Sequence, residues 1–145
     1  MTAGAGFLLA VLWFDLMFDV QMAGHTERGL PEGPLASIAA YYRRVTTAAR
    51  PMNRLIAAVM LGTLAAIIVE IAQADSPRWV GWVSLALAAV PILIAGTHTV
   101  PSAVRLGARS DSIDRQTALA SLIFREHLIC LASIAALLVL QLSYS

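Results

Sequence analysis

The chain has 145 residues, of which 59% are hydrophobic and 13% are charged, and its mean hydropathy is +0.75. Soluble domains carry about 25% charged residues, so this composition excludes an ordinary soluble domain and predicts an integral membrane protein. The net charge of +1 provides no basic excess for the phosphate backbone of a nucleic acid. The single cysteine, Cys130, excludes a disulfide within the chain and a cysteine-based metal cage built by one copy.

Four apolar stretches are long enough for membrane-spanning helices, because a bilayer core of about 30 Å requires about 20 apolar residues in a helix. They cover residues 5–23, 51–71, 79–97 and 120–142. The first stretch contains Asp15 and Asp19 and follows no basic residue, so we expect a retained span rather than a cleaved secretory signal. The sequence therefore predicts an all-α, integral membrane four-helix bundle, with residues 1–145 forming a single transmembrane domain.

A further helix is predicted between the first two spans. Residues 29–34 (Gly-Leu-Pro-Glu-Gly-Pro) form a helix-breaking loop, and residues 35–50 then place apolar side chains at helical spacing with arginines between them. This pattern is typical of an amphipathic helix at the membrane interface. It leads into the second span, and Pro51 is expected at the start of that span.

All ten basic residues are arginines, and their distribution predicts an orientation. Nine lie in or beside the segments between spans one and two and between spans three and four, whereas Arg78 alone lies in the remaining connection. The positive-inside rule places arginine-rich connections in the cytoplasm, so both termini should face outward from a bacterial-type inner membrane or a plasma membrane. Trp79 and Trp82 would then lie at the outer interface.

This orientation places polar side chains from all four spans in one layer near the cytoplasmic face. Asp15 and Asp19 are four residues apart, so their carboxylates project from one face of the first span. A charged side chain that faces lipid costs about 2.5 to 3.5 kcal/mol, so both carboxylates should face the bundle interior. Their candidate partners are the arginines Arg43, Arg44, Arg54 and Arg125, or the histidines His98 and His127. A bound metal is a further alternative, and the sequence does not identify which metal.

The polar layer predicts a candidate site. Its catalytic groups would be Asp15, Asp19, His98 and His127. Its substrate-binding groups would be Arg54, Arg125 and Glu126. A buried aspartate would act as a general base, a histidine would relay the proton or bind a cofactor, and the arginines would stabilise a developing oxyanion. The alternative is structural: aspartate–arginine ion pairs would fix the register of the helices, and the histidines would lie at helix ends near the interface.

Four short motifs resemble the small four-helix membrane proteins grouped with the anthrone oxygenases. They are Tyr41-Tyr42-Arg43-Arg44, Pro51-Met52-Asn53-Arg54, residues 97–101 (Thr-His-Thr-Val-Pro) and residues 124–127 (Phe-Arg-Glu-His). In that family the third span closes with a Thr-and-Pro motif, and the fourth opens with a Trp followed by a His or Arg. That turn would fall on residues 124–127 here, and the Trp is missing from them. The resemblance implies a four-helix membrane architecture over nearly the whole chain.

The topology is also similar to that of the four-helix membrane protoporphyrinogen oxidase, which has a histidine near haem in its first span. Asp15 and Asp19 occupy the first span here, and this difference argues against axial haem ligation from that span. No cofactor is specified by either resemblance.

Three functions stay open at the level of sequence. The first is an oxidoreductase, or a binder, of a lipophilic aromatic or quinone-like molecule that enters from the bilayer. The second is a non-catalytic accessory subunit of a larger membrane complex. The third is a small proton-coupled transporter, which would titrate Asp15 and Asp19 and would require a homo-oligomer. The expected partners are the lipid bilayer and then a lipophilic small molecule, a membrane-complex partner or a second copy.

Overall fold

The computed structural model describes residues 1–23, 30–73 and 76–144, and helices account for most of them. The helices are α1 (Thr2–Asp19, continued by a 3₁₀ turn, Val20–Met22), α2 (Glu32–Thr47), α3 (Arg50–Gln73), α4 (Arg78–Ile94), α5 (Val100–Ala108) and α6 (Ile113–Tyr144). A π-helical turn, Ala95–Thr99, joins α4 to α5. No strand occurs in these described ranges, which confirms the all-α prediction. Arg28 and Gly29, which the sequence places in an arginine-rich loop, lie outside the described residues.

Among the described residues, four helical segments are long and apolar enough to cross a membrane, namely Thr2–Met22, Arg50–Gln73, Arg78–Ala108 and Ile113–Tyr144. The third is longer than predicted, because the π-helical turn continues the helix into α5, whose first turn contains Pro101. The fourth begins at Ile113 rather than near residue 120. Asp114 lies in its first turn, where a negative charge favours the helix.

An apolar cluster at one end of the bundle joins four helices, and we refer to it as the cap. It contains Met22, Leu30, Leu35, Ile38, Ala39, Tyr42, Ala103, Leu106, Leu119, Ala120 and Ile123. The predicted amphipathic helix is confirmed as α2, and its apolar face packs against α5 and the start of α6. It begins at Glu32, so the prediction of a loop over residues 29–34 is wrong for residues 32–34, because a proline is tolerated in the first turn of a helix. The helices approach closely here: a Cβ atom on Gly107 would lie 2.8 Å from the backbone nitrogen of Arg43.

A second apolar cluster, which we call the membrane core, holds the four spans together. It contains Ala5, Leu8, Ile67, Ala88, Ile134 and Leu137. Glu126 and His127 lie on α6 between Ile123 of the cap and Ile134 of the membrane core. The fold therefore separates its two apolar clusters by a polar layer.

The described parts of both predicted arginine-rich connections belong to the cap end, because the end of α1, α2, α5 and the start of α6 meet there. At the opposite end, the rings of Trp79 and Tyr144 contact each other edge to face with centroids 5.2 Å apart. Trp79 and Trp82 are both exposed, as expected for side chains at a membrane surface. Which end faces the cytoplasm stays a prediction.

Candidate functional site

Asp19 is the centre of a polar cluster that joins three helices. Its side chain is only 1% exposed. The hydroxyl of Tyr42 donates a hydrogen bond to Asp19 Oδ1 at 2.6 Å, and His127 Nδ1 lies 2.6 Å from Asp19 Oδ2. Each carboxylate oxygen thus has a short partner, one from α2 and one from α6. This double contact offsets the cost of burying the carboxylate.

Asp15 lies one helical turn away and is more open. The hydroxyl of Tyr41 donates a hydrogen bond to Asp15 Oδ1 at 2.5 Å. Asp15 Oδ2 lies 4.0 Å from His127 Nε2, which is too far for a hydrogen bond, and the Asp15 side chain is 20% exposed. The imidazole of His127 therefore lies between two carboxylates, held by Asp19 and facing Asp15 across a gap.

The two tyrosines come from consecutive positions of α2 and contact each other edge to face, with ring centroids 5.3 Å apart. Burial, followed by the negative charge of Asp15, raises the pKa of the Tyr41 phenol. Burial and the charge of Asp19 likewise raise the pKa of the Tyr42 phenol. Both phenols therefore stay protonated at neutral pH and act as hydrogen-bond donors to the aspartates.

Glu126 forms a separate polar contact on another face of α6. The hydroxyl of Thr99, from the π-helical turn, donates a hydrogen bond to Glu126 Oε2 at 2.7 Å, and His98 Nδ1 lies 3.7 Å from Glu126 Oε1. Glu126 is buried, whereas the His98 side chain is 63% exposed. π-helical turns are frequent at functional sites, and this one supplies both partners of the only glutamate in α6.

The structure brings together three of the predicted catalytic residues, Asp15, Asp19 and His127, and places His98 apart from them with Glu126. Glu126 is one of the residues predicted to bind substrate. The other two, Arg54 and Arg125, are exposed and form no recorded ion pair with either aspartate in the part of the chain that the structure describes.

Of the candidate partners of Asp15 and Asp19, His127 contacts Asp19, whereas no arginine pairs with either aspartate in the described residues. Arg43 and Arg44 are exposed as well, although they directly follow the two tyrosines in the sequence. A guanidinium stays solvated at the surface at little cost, whereas neutral phenols lose less hydration when they are buried against a carboxylate. The polar layer is accordingly built from tyrosine and histidine partners.

Tyr41 and Tyr42 were the functional residues that sequence reasoning missed. A signal was present, because Tyr42 continues the buried face of α2 that includes Leu35, Ile38 and Ala39. A buried phenol requires a hydrogen-bond partner, and the two aspartates of the first span offered two acceptors.

A second polar contact, at the end of the bundle opposite the cap, was also missed. Gln141 Nε2 donates a hydrogen bond to Ser84 Oγ at 2.8 Å and lies 3.4 Å from Glu70 Oε2. This contact ties α6 to α4 and α3 and is consistent with a structural role. Within residues 1–23, 30–73 and 76–144, no group of three or more His, Cys, Asp or Glu side chains is arranged to hold a metal ion.

Comparisons of the chain with models of protein families, with curated proteins and with solved structures found no match. The resemblance to anthrone-oxygenase-like proteins thus stays a prediction. The fold and site define a helical membrane-type protein with a buried Tyr–Asp–His cluster, and its chemistry has to be argued from the geometry of that cluster.

Proposed function

We propose that the protein binds a lipophilic hydroxyaromatic or quinone-like molecule at the open edge of Asp15 and exchanges a proton with it. The observation that supports this function is the difference between the two carboxylates that face His127. Asp19 is 1% exposed and both of its oxygens have short partners. Asp15 is 20% exposed, and its Oδ2 has no hydrogen bond recorded within the described residues.

A single oxygen atom of the ligand would bridge Asp15 and His127. Asp15 Oδ2 and His127 Nε2 are 4.0 Å apart, so an oxygen between them can lie about 2.8 Å from both. A ligand hydroxyl would donate to one of these atoms, and a quinone carbonyl would accept from a protonated Nε2. Asp19 binds Nδ1 and thereby orients the ring with Nε2 toward the gap.

Proton exchange follows from this arrangement. A bound hydroxyl transfers its proton to Nε2 of a neutral His127, and the resulting ligand anion stays hydrogen-bonded to the new Nε2–H group. The carboxylate of Asp19 stabilises the imidazolium through Nδ1. The reverse transfer returns the proton to the ligand, so His127 is the exchanging group and Asp19 is a positioning residue.

Aromatic side chains flank the same opening. Phe18 stacks on Tyr41 with ring centroids 4.0 Å apart and an interplanar angle of 9°. Phe14, one turn earlier on the same side of α1, is 62% exposed. Aromatic faces of this kind suit an aromatic ligand, and α1 is a candidate membrane span, so the ligand would reach Asp15 from the bilayer.

The oxidoreductase hypothesis requires more than this site. Binding and proton exchange are common to the oxidation of a hydroquinone and the reduction of a quinone. Either reaction would also require an electron-transfer partner in the membrane, which would take up or supply the two electrons.

The test uses Trp13, which lies two residues before Asp15 and is exposed, as a fluorescent reporter. In a background carrying Trp79→Phe and Trp82→Phe, 1,4-naphthoquinone and its hydroquinone should quench Trp13 in a saturable manner. Asp15→Asn should weaken binding of the hydroquinone about tenfold, because one hydrogen bond to a charged group contributes about 1.5 kcal/mol.

Glu70→Gln is the matched control, because it removes a carboxylate at the end of the bundle opposite the cap and should leave quenching unchanged. His127→Gln should weaken binding of both ligands. Unchanged affinity for the hydroquinone in Asp15→Asn, with helical content retained, would exclude a ligand site at this edge.

A non-catalytic accessory subunit is the second candidate, and the complete hydrogen bonding of Asp19 favours it. In that role the cluster only fixes how α1, α2 and α6 pack. The protein would then co-purify with a stoichiometric membrane partner, and Asp15→Asn would change thermal stability without any effect on a ligand.

A further inference from the structure

Four exposed arginines lie where α2 ends and α3 begins. We call this group, Arg43, Arg44, Arg50 and Arg54, the basic corner. The first two lie near the end of α2, and the last two lie in the first turns of α3. The corner therefore carries four positive charges within twelve positions of the chain.

Backbone and side-chain contacts fix the turn that forms the basic corner. The amides of Ala48 and Ala49 both donate hydrogen bonds to the carbonyl oxygen of Arg44, at 2.8 and 3.2 Å. The side chain of Asn53 donates a hydrogen bond across the turn to the carbonyl oxygen of Val45 at 2.7 Å. The start of α3 is thus tied to the end of α2, and these two adjoining helix ends carry the four arginines.

The arginines of the basic corner differ from two others at the same end of the bundle. Arg105 is paired with Asp111 at 2.8 Å, and Arg109 is paired with Glu32 at 2.7 Å. For the basic corner, no ion pair with a carboxylate is recorded in the part of the chain that the structure describes. Its charges are therefore available to an anion from outside the protein.

The surface of α3 below the basic corner is apolar and exposed. Leu55, Leu61, Ile68 and Val69 are between 48% and 66% exposed, and α3 is a candidate membrane span. A small soluble anion would use only the arginines. A phospholipid would use both surfaces, with its phosphate on the arginines and its acyl chains along α3.

We propose that the basic corner binds the phosphate headgroup of an anionic phospholipid in the leaflet at the cap end. This site is independent of the function proposed for Asp15, because none of its arginines contacts the Tyr–Asp–His cluster among the described residues. It would anchor the start of α3 and hold the cap end in an anionic leaflet.

The test is native mass spectrometry of the full chain with phosphatidylglycerol, compared with phosphatidylcholine. The wild-type protein should retain phosphatidylglycerol preferentially. Each basic residue near a membrane surface contributes a factor of about five in affinity for anionic lipid, so the double variant R50Q/R54Q should bind phosphatidylglycerol about 10- to 25-fold more weakly. Binding of phosphatidylcholine should not change.

The matched control is the double variant R78Q/R115Q, which removes two exposed arginines outside the basic corner, one at the end opposite the cap and one in the first turn of α6. It should weaken phosphatidylglycerol binding less than R50Q/R54Q does. An equal loss in both double variants would overturn the assignment, because lipid preference would then follow net charge alone. Inorganic phosphate at the lipid concentration should not displace the lipid. Displacement would show a free-anion site and would also overturn the assignment. In the described residues neither Arg50 nor Arg54 forms a hydrogen bond or ion pair with Asp15 or His127, in contrast to the role in substrate binding predicted for Arg54 from the sequence, so quinone binding should persist in R50Q/R54Q.

Discussion

His127 Nδ1 lies 2.6 Å from Asp19 Oδ2, although 108 positions separate the two residues in the sequence. This contact joins the first helix of the bundle to the last at the level between the cap and the membrane core. Apolar contacts alone tolerate small shifts of one helix along another. A buried carboxylate with two required partners does not, because any shift would leave it unpaired.

Asp19→Leu should destabilise the protein by about 1 to 3 kcal/mol. The substitution removes the carboxylate that satisfies the Tyr42 hydroxyl and His127 Nδ1, and both groups would stay buried without it. Thermal unfolding in detergent, followed by circular dichroism, measures the loss. The triple variant D19L/Y42F/H127L should recover most of it, because no polar group is then left unpaired. A triple variant less stable than Asp19→Leu alone would contradict this account.

Tyr41 and Tyr42 contribute to the stability of the protein, and this contribution is lost at alkaline pH. Their phenol pKa values are raised in the folded protein, whereas an unfolded phenol ionises near pH 10. Above about pH 10 the unfolded chain therefore releases protons that the folded protein retains. The contribution of the two tyrosines is complete below about pH 10 and is lost as the pH rises above it.

Ultraviolet absorbance of tyrosinate tests this directly. The double variant Y41F/Y42F should leave the absorbance step of the folded protein near pH 10 unchanged, because neither phenol contributes to it. In denaturant the same variant should lose two thirds of the step, since the chain has 3 tyrosines. A smaller step in the folded double variant would show that these phenols ionise normally.

The four spans could be predicted from sequence because length and hydropathy are local properties of the chain. His127 was among the partners that the sequence offered for Asp19, whereas the two tyrosines were not. Arginine and tyrosine both satisfy a carboxylate, and the choice between them depends on which helix packs beside α1. The sequence offered arginines from several segments without a preference among them, yet α2 supplied two tyrosines instead.

The end of the third span illustrates a different difficulty. Two polar threonines around His98, followed by Pro101, are typical of a helix end, and the π-helical turn allows the helix to continue through them. A π-helical turn depends on tertiary contacts, here the hydrogen bond from Thr99 to Glu126 on α6. No property of this segment taken alone predicts it.

Thr99→Val should destabilise the protein by about 1 to 2 kcal/mol, because it leaves one oxygen of the buried Glu126 without its donor. Thr99→Ser should restore most of the stability, since the hydroxyl is retained. The control is Thr97→Val, two residues earlier in the same turn. Thr97 is exposed and bonds only to the carbonyl oxygen of Leu93, so its replacement should change stability by less than about 0.5 kcal/mol. Equal effects at Thr97 and Thr99 would contradict a specific role for the contact with Glu126.

Gly107→Ala should destabilise the packing of α2 against α5 in the cap, although it adds only one methyl group. The added Cβ atom would lie 2.8 Å from the backbone nitrogen and 2.9 Å from the Cα atom of Arg43, and backbone atoms cannot move aside as a flexible side chain can. We expect a loss of about 1 to 3 kcal/mol in thermal unfolding and a shift of α2 away from α5. Gly62→Ala is the matched control, because a Cβ atom there meets open space and alanine favours helix, so that variant should be neutral or more stable by up to about 1 kcal/mol. If both substitutions had the same effect, the close approach of α2 and α5 would be wrong.

Because Tyr42 precedes Arg43, Gly107→Ala should also weaken hydroquinone binding at Asp15 by displacing the tyrosine pair, whereas Gly62→Ala should not.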